Sequence, residues 1–393
     1  MALTSDLVAS LKGADPKEVF SEITREDRPK MGHRWTLRNE IAPSDLYCYL
    51  GARFGAPNGL QNFLRKDDSD NLIHWEWFLR CGSGWLICQG MNFRTEVWIT
   101  ANSGLEEADK PAFISQIKAD FANYGKKMSE VRKALENWIE FVNPYRRIQK
   151  SVDKLLLDLR ELNLQPEDEA IPDITDAEQI PNDRWVELFS KYTQGLGLCF
   201  GIRSMLPVMA EAFVNLILFV LMRPDLKSDE RLRENTIRQP IDVRVKSLHI
   251  VCVGFDHAVD YSHDACKAYH SLVNERNDLL HGNVVLDKLK FNEVFFNGRV
   301  PVFKQYRSMW ERSFGVEIQS VGLHRLEREV ETVNNFTAYL KSCMTEEVRS
   351  QFEHIAEMRD LGLNSENGRL GILFPGHLVD MLPVFSEPIE GDI

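Results

Sequence analysis

The stretch whose side chains are best suited to chemistry is Arg276-Asn277-Asp278-Leu279-Leu280-His281-Gly282-Asn283. An imidazole, with an ordinary pKa of about 6.5, takes up and releases protons near neutral pH. A guanidinium fork holds two oxygens of a phosphate and the charge that accumulates on them during reaction. Together these groups suit cleavage of RNA, in which a 2′-hydroxyl loses a proton and the departing 5′-oxygen gains one. The product would end in a 2′,3′-cyclic phosphate, because the stretch offers no second nucleophile and no carboxylate cluster for Mg²⁺. Residues 261–275 have a helical pattern, and Gly282 stands where the helix's C-terminal cap belongs. On that helix Asn277 and His281 are four apart, so the amide can hold the imidazole. Arg276 and His281 are five apart, about 140° around the axis and roughly 7.5 Å along it. One copy struggles to bring both onto one phosphate, whereas two copies facing across a two-fold axis can share a cleft. A plainer reading stands beside this one: Arg276 pairs with Glu275 or Asp278, and His281 sits at a helix C-terminus, where the dipole favours a cation.

Arg-Asn, three residues, then His resembles the signature of HEPN domains, helical bundles found in many prokaryotic toxins and phage-defence proteins. The resemblance covers about residues 185–350. It implies a metal-independent RNA-cleaving site at a dimer interface, with Arg276, Asn277 and His281 as its catalytic residues. Glu211, on an earlier apolar helix, fits the pattern loosely and, with Asp278, is the candidate for support. No cofactor and no metal are implied. RNA is the implied substrate and a second copy of the chain the implied partner. A degenerate, non-catalytic bundle that docks a partner or nucleotide is the alternative. The resemblance says nothing of the front half of the chain.

Other clusters carry less. His263, Cys266 and His270 share a helix face, but the outer pair is about 10.5 Å apart along the axis, too far for one zinc ion. Core or interface is the expectation for them. Cys81 and Cys88 lie six residues apart on predicted strands, and no Cys-x-x-Cys occurs. Gly195, Gly197 and Gly201 imitate a dinucleotide loop without its spacing or its preceding strand, and no phosphate-binding loop with Lys-Ser/Thr is present. Trp75 and Trp77 share one face of a strand, as core residues do.

The elements that must position the motif divide by charge. The 393 residues carry a formal net charge of −12, which argues against a chain coated in positive charge for gripping nucleic acid. Residues 1–150 are nearly neutral, 151–184 strongly acidic, 185–350 balanced and 351–393 acidic. We therefore expect an α+β chain: a 1–150 sensing or regulatory domain, a 151–184 acidic linker carrying three prolines, a 185–350 HEPN-like helical domain and a 351–393 extension. The front domain reads as small and mixed, with a helix near 44–54, an antiparallel meander over 72–81, 84–91 and 95–101, and a long helix from Pro111 to about 142. Its near-zero charge suits a regulatory protein or ligand better than RNA. The back reads as helices over 184–193, 202–222, 240–255, 258–281, 304–312 and 321–346, interrupted by a hairpin in which Asn297-Gly298 signals a type I′ turn and Pro301 sits at an edge. The apolar part of the tail, 378–385, is expected to dock on the body. Residues 205–222 are the most apolar run, but Glu211 and Asn215 interrupt it, so a buried helix is expected and no membrane contact. Seven cysteines without regular spacing and an opening that lacks a basic start and an apolar run point to reduced thiols in the cytoplasm.

Overall fold

The tryptophan- and valine-rich runs of the front half form a sheet because large, β-branched and aromatic residues alternate along them. In this computed structural model, which describes residues 7–25, 30–64, 72–166, 182–284, 286, 290, 293–303 and 314–374, the meander is β3 (Trp75–Cys81), β4 (Gly84–Gly90) and β5 (Thr95–Thr100). Two further strands flank it, β1 (Lys12–Gly13) and β2 (Met31–Leu37), giving the antiparallel order β1-β3-β4-β5-β2. The register sets Trp77 opposite Cys88, Leu79 opposite Leu86, Cys88 opposite Val97 and Val97 opposite Trp35, so all of these share one face. That face is fully buried with Leu46, Tyr49 and Leu50 of helix α1 (Pro43–Phe54) and Phe113 and Ile117 of helix α2 (Lys110–Lys133). Trp77 is core, as its spacing implies. Trp85 and Trp98 face the other way, beneath the guanidinium groups of Arg80 and Arg34.

The chain is α+β and folds as two units, Met1–Glu140 with Gly362–Arg369 and Leu373–Ile393, and Phe141–Leu361 with Leu370–Ile372. The division falls earlier than the acidic connector suggested, because helix α3 (Pro144–Glu161) packs on the long helix α4 (Asn182–Leu221) of the second unit. The middle of the connector, 167–181, lies outside the described residues, as do 304–312 and 378–385.

Several elements differ from the sequence expectation for identifiable reasons. The helix begun at Pro111 stops at Lys133, and Trp138–Val142 is a strand. Its aromatic and β-branched residues favour extended backbone over another helical turn. The expected helices 184–193 and 202–222 are one helix, α4, which runs through Gly195, Gly197, Gly201 and Pro207. Burial of its apolar side outweighs their weak propensity: Ile202, Leu206, Ala210, Val214 and Ile217 are all inaccessible. Val186–Leu221 is long and apolar enough to cross a membrane; its most apolar window has a mean hydropathy of 2.0, and 56% of that window is buried. Around α4 pack α5 (Ile241–Val251), α6 (Asp264–His281), α7 (Leu326–Ser342) and α8 (Glu346–Glu357). α5 and α7 are shorter than expected, and α6 starts at Asp264 because the His263 ring caps it, accepting from the Ala265 N–H at 3.2 Å.

Candidate functional site

Helix α6 carries the motif at its last two turns. Its apolar face, Cys266, Tyr269 and Leu272, is buried in the unit's core, which fixes the helix and hence the direction of Arg276 one turn later. The helix ends at Gly282, in the left-handed conformation at φ 61° and ψ 34°. The Gly282 and Asn283 N–H groups donate to the Asp278 carbonyl, at 3.1 Å for Asn283. This is the glycine stop that the sequence signalled, and a side chain at 282 would pay the left-handed penalty.

His281 is the final helical residue. It is exposed, and its ring has no hydrogen-bond partner among the described residues. Arg276 is half-buried: one terminal nitrogen donates to Asn277 Oδ1 at 3.0 Å, and its Nε is buried without a partner. The Asn277 amide is therefore turned to Arg276 and not to the imidazole, which corrects the expected Asn277–His281 contact. An adjacent guanidinium offers the amide oxygen a charge-assisted bond. Asp278 accepts from the Asn283 side-chain amide at 3.0 Å.

The expected alternative pairing of Arg276 with Glu275 is also absent. Glu275 accepts from Arg203 at 3.2 Å and from Arg325 at 3.1 Å. Arg203, only 5% exposed, makes a two-pronged pair with Glu329, Nε to Oε2 at 2.7 Å and Nη2 to Oε1 at 2.5 Å, and donates to the Val321 carbonyl at 2.7 Å. This network ties α4, α6 and α7 together directly behind the motif. Sequence reasoning missed it, although a signal existed. Arg203 falls between Cys199 and Leu206 on the buried stripe of α4, and Glu329 between Leu326 and Val333 on that of α7. A charge on a core stripe has to find a partner.

Glu211 is engaged rather than free. It pairs with Arg244, a buried residue of α5 that also donates to Asn215. Burial pushes the Tyr269 phenol well above its usual range. The charge of Glu211 adds to that rise, while Arg244 and Arg276 oppose it. Glu211 and Arg276 thus act on one tyrosine, whose hydroxyl donates to the Pro207 carbonyl at 3.3 Å.

The three metal-like residues do not converge. His263 stacks on Tyr339 with ring centres 3.9 Å apart, Cys266 is fully buried, and His270 bonds the Tyr261 hydroxyl at 3.3 Å. Among the described residues no group of three His, Cys, Asp or Glu is placed to hold a metal ion. All seven cysteines are unpaired and buried, and burial pushes the thiols of Cys199 and Cys266 up to about 11.

No protein-family model, no curated protein and no solved structure matches this chain. The functional reading therefore rests on the site itself. A cleft of about 570 Å³ lies between Arg160 of α3, Asn163 just past its end, and His324 and Glu327 at the start of α7.

Proposed function

We propose that the helical unit is a HEPN-like, metal-independent endoribonuclease that works as a homodimer in the cytoplasm, in a toxin or phage-defence setting. The observation that carries this reading is the state of Arg276. It is half-buried, oriented by a neutral amide, and paired with no carboxylate among the described residues, because Glu275 is taken by Arg203 and Arg325. A guanidinium held in place and left uncommitted is what a phosphate site needs.

His281, exposed at the helix end, takes the proton of a 2′-hydroxyl or delivers one to the 5′-oxygen. Arg276 holds the phosphorus oxygens as charge builds on them. Asn277 orients Arg276, and Arg203 and Arg325 hold Glu275 away from it. The spread of Arg276 and His281 around the helix calls for a second copy to complete the cleft. The front unit serves as the sensing or restraining part.

The alternative is a non-catalytic module that uses Arg276 to dock a phosphate-bearing partner. It is favoured by Asn277, which is spent on Arg276 and leaves the imidazole unoriented. End-group analysis of RNA incubated with the protein separates the two. Fragments ending in 2′,3′-cyclic phosphate are expected, and 3′-hydroxyl ends or intact RNA would contradict the proposed chemistry.

A further inference from the structure

Apolar side chains lie open in the hairpin after the motif and in the cleft between α3 and the start of α7, and the two differ in shape. In the hairpin Val294–Asn297 pairs with Val300–Phe303, and Phe295 and Phe296 are both exposed. Successive strand residues point to opposite sides, so these two rings diverge. The turn has positive φ at Gly298 alone, 61°, with Asn297 paired to Val300. That is the type II′ pattern rather than the expected I′, which needs two such residues.

In the cleft of about 570 Å³ the apolar side chains converge instead. Leu156, Leu159, Arg160 and Asn163 follow one another at i, i+3, i+4 and i+7, one face of α3 continued past its end. Leu326, Glu327 and Val330 supply the facing wall from the first turns of α7, with Leu323 and His324 in the short turn before it. Leu159 and Leu326 are buried and make the floor, whereas Arg160, His324 and Glu327 are exposed at the mouth. Both walls are held by contacts behind them. Leu164 sits against Gly195 of α4, where any side chain would collide with it. Opposite, Arg203 donates to the Val321 carbonyl at 2.7 Å and Arg325 to Glu275 at 3.1 Å, which pins the turn ahead of α7. A cleft formed in advance spares a ligand much of the ordering cost of binding.

Six of the ten described lining residues are Leu or Val and none is aromatic. A flat ring therefore finds no face to stack on, while an alkyl chain meets aliphatic carbon on both sides. A CH₂ group takes about the space of one water, ~30 Å³, so there is room for a chain of roughly a dozen carbons and a head group. At the mouth, the side chains of Arg160, His324 and Glu327 have no hydrogen-bond or ion-pair partner among the described residues. With a guanidinium on α3 and a carboxylate on α7, a purely anionic head would face Glu327 and a purely cationic one Arg160. We propose that the cleft binds a single-chain amphiphile whose head carries both a phosphate and an ammonium group. The chain lies between the leucines of the two walls, Arg160 and His324 hold the phosphate, and Glu327 accepts from the ammonium. None of the motif's side chains takes part, so the site stands apart from the ribonuclease reading.

Titration calorimetry of the full chain with myristoyl lysophosphatidylethanolamine, below its micelle-forming concentration, tests this. Saturable binding of one molecule per chain is expected. Glycerophosphoethanolamine, the head alone, and myristate, the chain on an anionic head, should each bind about tenfold more weakly or worse. Arg160→Glu should cost the lipid a similar factor. Glu327→Lys should weaken the lipid and strengthen myristate, because a carboxylate no longer faces a like charge. Both positions are exposed, so circular dichroism of the two variants should match the wild type. No saturable binding, an affinity unmoved by Arg160→Glu, or an unchanged preference in Glu327→Lys overturns the site. Equal binding of the head alone would leave a phosphate site without a chain, and equal binding of myristate would remove the ammonium contact; either result overturns the proposed ligand.

Discussion

Arg276 carries a distinction that substitution can expose. Its guanidinium is uncommitted to any carboxylate among the described residues, so exchanging it for lysine keeps a positive charge and loses only the planar fork. Arg276→Lys should therefore damage RNA cleavage nearly as much as Arg276→Ala, with the dimer intact by sedimentation. Were Arg276 an ordinary surface cation, the exchange would cost at most about 1 kcal/mol and no activity. His281→Gln can still hydrogen-bond but cannot transfer a proton near neutral pH, so the rate should fall by roughly 10²–10⁴. The motif residues were legible in the sequence because their relation is local: one helix, one glycine stop, a fixed angle between side chains. The Arg203–Glu329 pair was not, because 126 residues separate its members and only the packing of α4 on α7 brings them together. The turn of Asn277 toward Arg276 was missed for a different reason. Spacing permits both contacts, and the choice between them is electrostatic.

At the level of elements, the buried ion pair joining α4 to α7 should dominate local stability. Glu329→Ala leaves a buried guanidinium with a depleted partner set, and breaking such a pair costs about 3–5 kcal/mol. The exposed Glu234–Arg238 pair, with side chains 50% and 78% exposed, supplies the control. Glu234→Ala should cost at most about 1 kcal/mol. Urea unfolding of the two variants checks the contrast, and similar losses would show the network to be dispensable. In the front unit, the Glu40 carboxylate accepts the Arg38 backbone N–H at 2.8 Å and pairs with Lys110 at 3.0 Å. These bonds hold its pKa down at about 2, from an ordinary 4.5. A depressed carboxylate stabilises the fold above its unfolded pKa and loses that contribution as pH falls through its folded one. Glu40→Gln should thus be less stable than wild type at pH 7, with the gap closing between pH 4.5 and 2. A constant gap would assign the effect to packing instead. The meander and the hairpin were readable from alternation and turn residues, which are properties of neighbours in sequence. The joining of 184–193 to 202–222 was not, since Gly195, Gly197, Gly201 and Pro207 all argue locally against a helix that core burial imposes.

Over the whole molecule, the division between units sets what can be cut away. A fragment beginning at 185 and ending at 350 discards α3 and most of α8, and with them Val152, Leu159, Phe352 and Ala356 of the helical unit's core. Residues 141–361 keep all four. The longer fragment should give a cooperative thermal transition, and the shorter one should be poorly folded; equal behaviour would deny α3 its part in the core. Charge along the chain marked the acidic connector but not this boundary, because α3 is amphipathic and joins its unit through a face that composition does not reveal. The central claim is that α6 presents a metal-independent RNA-cleaving pair, and one comparison tests it most directly: RNA incubated at neutral pH in EDTA with the full-length wild type and with His281→Ala. Cleavage by the wild type that survives chelation and disappears in the folded variant is the result predicted here. Intact RNA with the folded wild type, cleavage abolished by EDTA while the fold persists, or undiminished cleavage by His281→Ala would contradict it.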